Sequence, residues 1–334
     1  MDATTPFWQD RPVLVTGAGG FIASHLVEAL LERRARVRAF VRYNSRGDPG
    51  LLAQLPGDVR QRIEILPGDL RDLAAVTAAM QGSTLVMHLG ALISIPYSYV
   101  HPSEVVESNI IGALNVLLAG RACRVERIVH TSSSEVYGTA LHTPIDEHHP
   151  LQGQSPYSAS KIGADMLAES FYRAYDLPVV TLRPFNTYGP RQSARAVIPA
   201  IIAQALTRPA VHLGNLQARR DFTYVSDTVN GFLLAAQAPC IEGQVINLGS
   251  GQEMCIGDLA RQIIAMIGRP VEVIVEQERM RPEKSEVQRL LSDNRLAKER
   301  LKWEPQVSLE QGLTETIAWM REHLDLYQPG VYQF

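Results

Sequence analysis

Short runs of apolar residues recur through the first half of the chain, with helix-like stretches between them. Val13-Leu14-Val15 is the first run, and a helical pattern from Ile22 to about Glu32 follows it. Continuous apolar runs are typical of strands buried on both faces, and strands that alternate with helices indicate a parallel sheet. We therefore predict an α/β fold with helices on both faces of the sheet. The predicted strands cover residues 13–15, 37–41, 63–66, 85–89, 127–131 and 178–183.

After about Pro184 the alternation weakens, and turns with proline and glycine interrupt shorter elements. We therefore predict a sheet domain over residues 1–183, with later returns to the sheet near 222–250, and a smaller domain over 184–334. Long helices are predicted from Glu104 to Arg121 and from Tyr157 to Tyr175. They either cover the sheet or form the interface of a homodimer.

Composition narrows the class of protein. The 334 residues are 46% hydrophobic and carry a net charge of −3, which allows a large core and argues against a binder of nucleic acid or membrane surfaces. The N-terminus lacks a signal-peptide pattern, and no apolar stretch reaches the ~20 residues that cross a bilayer. Three cysteines, Cys123, Cys240 and Cys255, match neither a disulfide framework nor a zinc site. We expect a cytoplasmic protein without a bound metal.

A glycine-rich turn, Thr16 to Ala23, follows the first predicted strand. Gly17 permits the tight turn, and Gly20 lets the backbone approach a pyrophosphate whose charge the following helix N-terminus meets. Ala23 takes the third small position and still allows the helix to pack closely on the strand. The strand–turn–helix setting therefore predicts a dinucleotide-binding site of the Rossmann type. Its residues are Gly17, Gly19, Gly20, Phe21 and Ile22.

The end of the second predicted strand bears on the choice of cofactor. An acidic residue there would hold a ribose 2′-hydroxyl and favour NAD, but the sequence offers Arg42, which could pair with a 2′-phosphate. We therefore predict NADP, with NAD as the alternative. Asp69 and Leu70 are expected near the adenine, and Leu89 and Ala91 beside the nicotinamide ribose.

Tyr157 and Lys161 lie one helical turn apart in the sequence Tyr-Ser-Ala-Ser-Lys, which places them on one face of a helix. An ammonium group beside a phenol favours the phenolate, so we expect a lowered tyrosine pKa and a usable general base. Ser133 follows the fifth predicted strand, at the edge of the sheet where ligands bind, and could hydrogen-bond the same substrate oxygen.

These motifs together resemble the extended short-chain dehydrogenase/reductase family, which includes nucleotide-sugar epimerases and dehydratases. The resemblance covers essentially the whole chain. It implies a Rossmann doubly wound parallel sheet, a smaller C-terminal substrate-binding domain, a nicotinamide cofactor and a nucleotide-sugar substrate. The motifs are Gly17–Ile22, Tyr157 with Lys161, Arg183–Pro190, Arg220–Val225 and Asn247–Gly251.

The resemblance also implies substrate contacts. Asn186 and Arg220 are expected near the pyrophosphate of the sugar nucleotide, and Arg281 is a further candidate. Guanidinium and amide donors suit a diphosphate. The alternative for Arg220 is a structural ion pair with Asp221.

The stretch Ser133-Ser134-Glu135 indicates the reaction, because it resembles the Thr-Asp-Glu or Thr-Ser-Glu signature of nucleotide-sugar 4,6-dehydratases. Simple 4-epimerases usually lack an acid there. Once C4 of the sugar is oxidised, with Tyr157 as the base, the C5 proton becomes acidic and Glu135 can remove it. Ser134 has no carboxyl group, so Glu135 is expected to shuttle both the C5 proton and the proton that the leaving 6-hydroxyl needs.

We therefore predict a 4,6-dehydratase for a nucleotide-linked hexose. Residues 139–157 resemble dehydratases that act on nucleotide-linked N-acetylglucosamine. The rival activities are UDP-glucuronate decarboxylation and 4-epimerisation, which differ by loss of carbon dioxide or by no change in mass. A cofactor-binding regulatory module without catalysis is the non-enzymatic alternative, and the presence of both Tyr157 and Lys161 argues against it.

Overall fold

The structure is a computed structural model, and it describes residues 6–327. Apolar runs form strands, as predicted, and most of the strand positions lie within one or two residues of those read from the sequence. The strands of the described residues are β1 (Pro12–Thr16), β2 (Arg36–Arg42), β3 (Ile63–Gly68), β4 (Leu85–His88), β5 (Arg127–Thr131), β6 (Val179–Pro184), β7 (Asn186–Tyr188), β8 (Ala210–Leu213), β9 (Arg219–Tyr224), β10 (Val245–Leu248), β11 (Glu253–Cys255) and β12 (Glu272–Val275).

Helices connect these strands. The helix from Ile22 begins one residue earlier than predicted, and the helix from Tyr157 begins at Pro156. The helices of the described residues are α1 (Phe21–Glu32), α2 (Gly57–Arg60), α3 (Leu73–Met80), α4 (Ile95–Val100), α5 (Pro102–Val106), α6 (Gly112–Cys123), α7 (Pro156–Tyr175), α8 (Val197–Thr207), α9 (Val225–Gln237), α10 (Ile256–Ile267), α11 (Arg295–Leu301) and α12 (Leu309–Glu322).

The main sheet has seven strands in the order β10-β6-β5-β4-β1-β2-β3. Every neighbouring pair in it is parallel. Six of these strands have the 3-2-1-4-5-6 order of the dinucleotide-binding Rossmann fold, and β10 extends the edge beyond β6. The predicted fold class is confirmed.

Both faces of the sheet are covered, as the continuous apolar runs require. Successive side chains of a strand point to opposite faces, so Val13 and Val15 pack into one buried cluster while Leu14 packs into the other. The first cluster includes residues of α1 and α9, and the second includes residues of α3, α6 and α7. The division of the chain at residue 183 stays a prediction.

The chain after β6 builds smaller sheets beside the main one. β9 pairs with β7 and β11, and β8 pairs in parallel with β12. These strands bring residues 186–188, 210–213 and 219–224 close to the carboxyl ends of the main-sheet strands, where a ligand cleft is expected.

The helix predicted from Glu104 to Arg121 extends further, because α5, a π turn at Glu107–Ile111 and α6 join into one run. By length and composition alone this run, Pro102–Cys123, could cross a membrane, contrary to the sequence expectation. Half of its most apolar window is buried inside the protein. Such burial is typical of a core helix of a globular protein.

Candidate active site

The glycine-rich turn is shaped for a close approach of backbone groups. Gly17 has φ +66°, and a Cβ atom on it would lie 2.6 Å from the Cα of Gly90. Gly20 is the N-cap of α1, provides no side-chain cap, and is followed by no acidic residue in the first helical turn. The free N–H groups at this helix end therefore face no competing carboxylate from the helix itself. This arrangement fits the pyrophosphate of a dinucleotide.

The residues expected near the adenosine lie in a network of ion pairs. Arg42, at the end of β2, approaches Glu104 to 3.1 Å, and 62% of its side chain is exposed. Asp69 and Arg71 are 2.7 Å apart, and Arg71 also reaches Glu107 at 3.2 Å. Arg42 therefore lies at the end of β2, where the cofactor ribose is expected, and is already paired with a carboxylate.

The other predicted cofactor contacts lie close to the turn. The side chain of Leu70 packs against the position of Gly90, where an added Cβ would meet its Cδ1 atom at 2.6 Å. Leu89 and Ala91 flank Gly90 and are both half-buried. The structure thus places Leu70, which follows β3, beside Leu89 and Ala91, which follow β4.

Tyr157 and Lys161 project from the first turns of α7 toward the end of β5. A capping box between Ser155 and Ser158 fixes the start of this helix. Tyr157 is 7% exposed and hydrogen-bonded to Ser133, and Lys161 donates to the backbone carbonyl of Thr131 at 2.5 Å. The structure therefore brings Ser133, Tyr157 and Lys161 together.

The expected lowering of the tyrosine pKa is wrong for this structure. Burial raises the pKa of Tyr157 to about 12, the hydrogen bond from Ser133 works to lower it, and the charges of Glu135 and Asp165 add to the rise. Burial also lowers the pKa of Lys161 to about 8, against the opposite effect of Asp165. Desolvation of the buried phenol is the largest cause, and it outweighs the hydrogen bond from Ser133.

Ser134 and Glu135 lie in a short 3-10 helix, Ser134–Tyr137, that follows β5 directly. Ser133 caps this turn by accepting a hydrogen bond from the Glu135 N–H at 3.2 Å. The Glu135 carboxylate lies 3.8 Å from the guanidinium of Arg281, and 12% of its side chain is exposed. Ser134 is buried. The turn therefore directs a carboxylate toward the predicted substrate residues.

A cavity of about 280 Å³ brings together Asn186, Arg220 and Arg281, the three predicted substrate residues. The amide oxygen of Asn186 is buried and has no hydrogen-bond partner among the described residues. Arg220 is buried and lies 3.4 Å from the carboxylate of Glu286, which also lines the cavity.

The alternative ion pair between Arg220 and Asp221 is excluded, because these neighbours in β9 point to opposite faces of the strand. The Asp221 carboxylate accepts hydrogen bonds from the backbone N–H groups of Ser250 and Gly251. Arg220 instead points to the cavity and to Glu286. Its guanidinium therefore lies on the cavity side, where it is paired with Glu286.

Sequence reasoning missed several polar residues around this site. Asp165, one helical turn after Lys161, accepts hydrogen bonds from Ser132 at 2.7 Å and from Arg183 at 3.0 Å. Asn109, in the π turn, donates to Ser160 at 2.9 Å. The spacing of four residues between Lys161 and Asp165 is a signal that could have identified the carboxylate. No comparable sequence signal marks a π turn.

Comparisons with known proteins agree with this geometry. The family model described as GDP-mannose 4,6 dehydratase matches residues 14–316. A UDP-glucose 4-epimerase of Mycolicibacterium smegmatis is 33% identical over 315 residues, which cover 92% of this chain and 98% of that protein.

Two solved structures are similar over nearly their full lengths. DesIV, a dTDP-glucose 4,6-dehydratase from Streptomyces venezuelae solved with NAD bound, has a TM-score of 0.86 and 28% identity, covering 95% of this chain and 99% of that one. The UDP-N-acetylglucosamine 4-epimerase from Methanobrevibacter ruminantium has a TM-score of 0.86 and 30% identity, covering 94% and 99%. The chain therefore belongs to the GDP-mannose 4,6-dehydratase family of extended short-chain dehydrogenases/reductases, the nucleotide-sugar dehydratases and epimerases.

Proposed function

We propose that the protein is a 4,6-dehydratase that converts a nucleotide-linked hexose, of the N-acetylglucosamine type, into its 4-keto-6-deoxy form. The observation that carries this proposal is the position of Glu135. Its carboxylate follows the redox-site Ser133 in one short turn, acts electrostatically on Tyr157, and faces Arg281 of the cavity. An epimerase needs no such acid, whereas elimination of water across C5 and C6 does.

The first step falls to the buried pair of hydroxyl groups. Ser133 and Tyr157 are hydrogen-bonded to each other, so one sugar oxygen can contact both. Tyr157 takes the proton of the 4-hydroxyl, and Ser133 orients that oxygen. A bound nicotinamide cofactor would supply the hydride acceptor for C4 and the hydride donor for C6. Lys161, buried one helical turn further along α7, supplies a positive charge on the same face of the helix while it is protonated.

The second step falls to Glu135. With a ketone at C4, the carboxylate of Glu135 removes the proton from C5, and the same group protonates the departing 6-hydroxyl. Ser134 is buried and has no carboxyl group, so it cannot share the proton transfer as an acid. C5 then receives a proton from solvent by way of Glu135 as C6 receives the hydride, and Tyr157 releases the 4-hydroxyl proton to solvent, which leaves the 4-ketone and one water molecule.

We propose NAD as the nicotinamide cofactor. The guanidinium of Arg42 is paired with Glu104, and the charges of Glu107 and Asp69 lie in the same ion-pair network. A 2′-phosphate would have to compete with the Glu104 carboxylate for Arg42. The similar dehydratase DesIV was solved with NAD. The prediction of NADP from Arg42 stays untested, and these carboxylates weigh against it.

The diphosphate of the substrate is assigned to Arg220, Arg281 and Asn186. The sugar is assigned to the N-acetylglucosamine class on two grounds. The sequence over residues 139–157 resembles dehydratases of that class, and a similar solved structure is a UDP-N-acetylglucosamine 4-epimerase. We also propose a homodimer formed through the helical run 102–123 and α7.

The test is incubation of the purified protein, with added NAD, with UDP-, GDP- and dTDP-linked glucose and N-acetylglucosamine and with UDP-glucuronate. Mass spectrometry of the products should show loss of one water from a hexose or N-acetylhexosamine. Loss of carbon dioxide from the glucuronate would identify a decarboxylase. An unchanged mass with inversion at C4 would identify a 4-epimerase, the second candidate, which the identity with the mycobacterial enzyme favours.

A further inference from the structure

Four charged side chains form a cluster between the redox site and the cavity. Glu135 pairs with Arg281 at 3.8 Å, and Glu286 pairs with Arg220 at 3.4 Å. Three of these residues line the cavity, namely Arg220, Arg281 and Glu286. The cluster is largely withdrawn from solvent, because the exposed fractions of the Arg220 and Glu286 side chains are 7% and 10%.

The members of this charge cluster act on one another. Burial lowers the pKa of Arg220, the charges of Glu135 and Glu286 work to raise it, and Arg281 works to lower it. Two guanidinium groups and two carboxylates have no net charge. A diphosphate that enters the cavity therefore finds Arg220 and Arg281, two of the four arginines that line it, already paired with carboxylates. It must either bind against the repulsion of those carboxylates or displace them.

The contact lengths favour replacement. A charge-assisted hydrogen bond between a guanidinium and an oxyanion is about 2.7–2.9 Å long. Both pairs in the cluster are longer than this, at 3.8 Å and 3.4 Å. Neither arginine therefore gains the full strength of a charge-assisted hydrogen bond from its carboxylate here, and each can gain from a phosphate oxygen at closer range.

The two pairs also link different parts of the chain. Arg281 and Glu286 lie on the segment between β12 and α11, and Glu135 lies on the turn after β5. That segment is tied to the catalytic side by Ser285, which donates to the backbone carbonyl of Gln154 at 2.5 Å. A movement of Arg281 toward a phosphate would therefore change the surroundings of Glu135 directly.

We propose that Glu135 and Glu286 hold Arg281 and Arg220 while no substrate is bound, and that the substrate's diphosphate displaces both carboxylates. Displacement frees Glu135 from Arg281 and so makes the C5 base available only when a nucleotide sugar occupies the cavity. This inference rests on the proposed function, because it assigns to Glu135 the role of C5 base. Arg281 is then a positioning residue for Glu135 as well as a diphosphate ligand.

The test measures binding of UDP, GDP and dTDP to the NAD-loaded enzyme by titration calorimetry, and uses the tightest of the three as the probe. Glu135→Gln removes a carboxylate that competes for Arg281, so the affinity of this variant for the nucleoside diphosphate should rise about fivefold. Glu286→Gln removes the carboxylate that competes for Arg220 and should raise the affinity by a similar factor. Glu64→Gln, which removes a carboxylate paired with Arg38 outside the cavity, should leave the affinity unchanged.

A double-mutant cycle separates competition from simple repulsion. In an Arg281→Gln background the gain from Glu135→Gln should disappear, whereas in an Arg281→Lys background, which keeps a positive charge, it should persist. A gain of equal size in both backgrounds would show that Glu135 only repels the diphosphate. No gain in the wild-type background would also overturn the proposal. Circular dichroism of each variant checks that the fold is retained.

Failure of this inference and failure of the proposed function give different results. Binding of a nucleoside diphosphate requires no turnover, so the cycle can be read whatever the product masses are. A water-loss product without any gain on Glu135→Gln would refute the displacement alone. A coupled gain in affinity with an epimerised product would refute the dehydratase proposal and the role of Glu135 at C5.

Discussion

At Tyr157, the proposed base of the redox step, burial and the proposed function have opposite effects on the phenol. A base must lose its proton, yet burial raises the pKa of this phenol to about 12. The Ser133 hydrogen bond and the positive charge of an oxidised nicotinamide ring both favour the phenolate. The residue is therefore suited to act as a base only when cofactor and substrate complete its surroundings.

Replacement of Tyr157 by phenylalanine should lower kcat by about 10²–10⁴-fold, the range typical of loss of a general base. Steady-state turnover measured by product mass checks this. Tyr172→Phe on the same helix, where the ring is exposed, should keep its rate. Full activity of Tyr157→Phe would require a different base.

The Lys161 ammonium is expected to limit the enzyme's activity at alkaline pH. Because burial lowers the pKa of Lys161 to about 8, its charge is present below that pH and is lost as the pH rises through it. We expect kcat/KM to fall above about pH 8. A Lys161→Arg variant keeps its charge, so any residual activity should lack this fall. If kcat/KM falls in the same way above pH 8 in both proteins, the fall is due to the titration of another group.

Arg42 and Glu104 allow a test of cofactor choice. Glu104→Gln removes the carboxylate that holds Arg42, so affinity for NADP should rise about fivefold while affinity for NAD changes little. Fluorescence titration of both cofactors measures this. Glu126→Gln, whose carboxylate pairs with Arg11, is the matched control. Tight NADP binding by the wild-type protein would reverse the assignment of NAD.

Local spacing explains which site residues the sequence could predict. Tyr157 and Lys161 share a helix face, and Ser133 to Glu135 share one turn, so neighbours in sequence are also neighbours in space. The partners Glu104 and Glu286 come from distant segments, 62 and 66 residues from the arginines they contact. No spacing rule connects such residues, because the folded chain alone brings them together.

At the scale of elements, a buried carboxylate on α7 forms an ion pair with a residue of the sheet. Asp165 contacts Arg183 of β6, and its other oxygen lies 3.3 Å from His130 of β5. Burial works to raise the pKa of Asp165, but the close contact with His130, the charge of Arg183 and the hydrogen bond from Ser132 outweigh it, so its pKa lies below the usual value. This ion pair therefore helps to fix the position of α7, the helix that carries Tyr157 and Lys161, against the sheet.

Asp165→Asn should lower the free energy of unfolding by about 3–5 kcal/mol, because it leaves the Arg183 guanidinium buried without its countercharge. Urea denaturation at pH 7 measures the loss. Since the folded pKa of Asp165 is depressed, the stabilisation is present at neutral pH and disappears as the pH falls through that pKa. The variant and the wild type should therefore converge in stability at low pH.

Glu169→Gln is the control on the same helix, because its carboxylate forms an exposed pair with Arg173. It should cost less than about 1 kcal/mol. A similar small loss for Asp165→Asn would show that the buried pair adds no net stability.

Strand and helix positions were predictable from apolar periodicity, but the buried ion pair of Asp165 and Arg183 was not. Periodicity shows which residues are apolar, and it carries no information about which polar residues pair inside the core.

At the scale of the whole molecule, two adjoining helices carry exposed apolar side chains. The run 102–123 has half of its most apolar window buried, and Val106 and Ile111 are 41% and 42% exposed. Met166 of α7 is 45% exposed. The two helices adjoin, because an added Cβ on Gly163 would meet Ile110 at 2.9 Å. These three exposed apolar side chains therefore lie on adjoining helices, and the proposed homodimer would bury them.

Light scattering after size exclusion should give about twice the chain mass of 36.9 kDa for the wild-type protein. Met166→Glu places a charge in the middle of the proposed interface and should yield monomers, because an unpaired charge is costly to bury. Val275→Glu, at a position 56% exposed on β12, alters charge and hydrophobicity in the same way outside this surface and should remain dimeric. If Met166→Glu and Val275→Glu both remain dimeric, the helices do not form the interface.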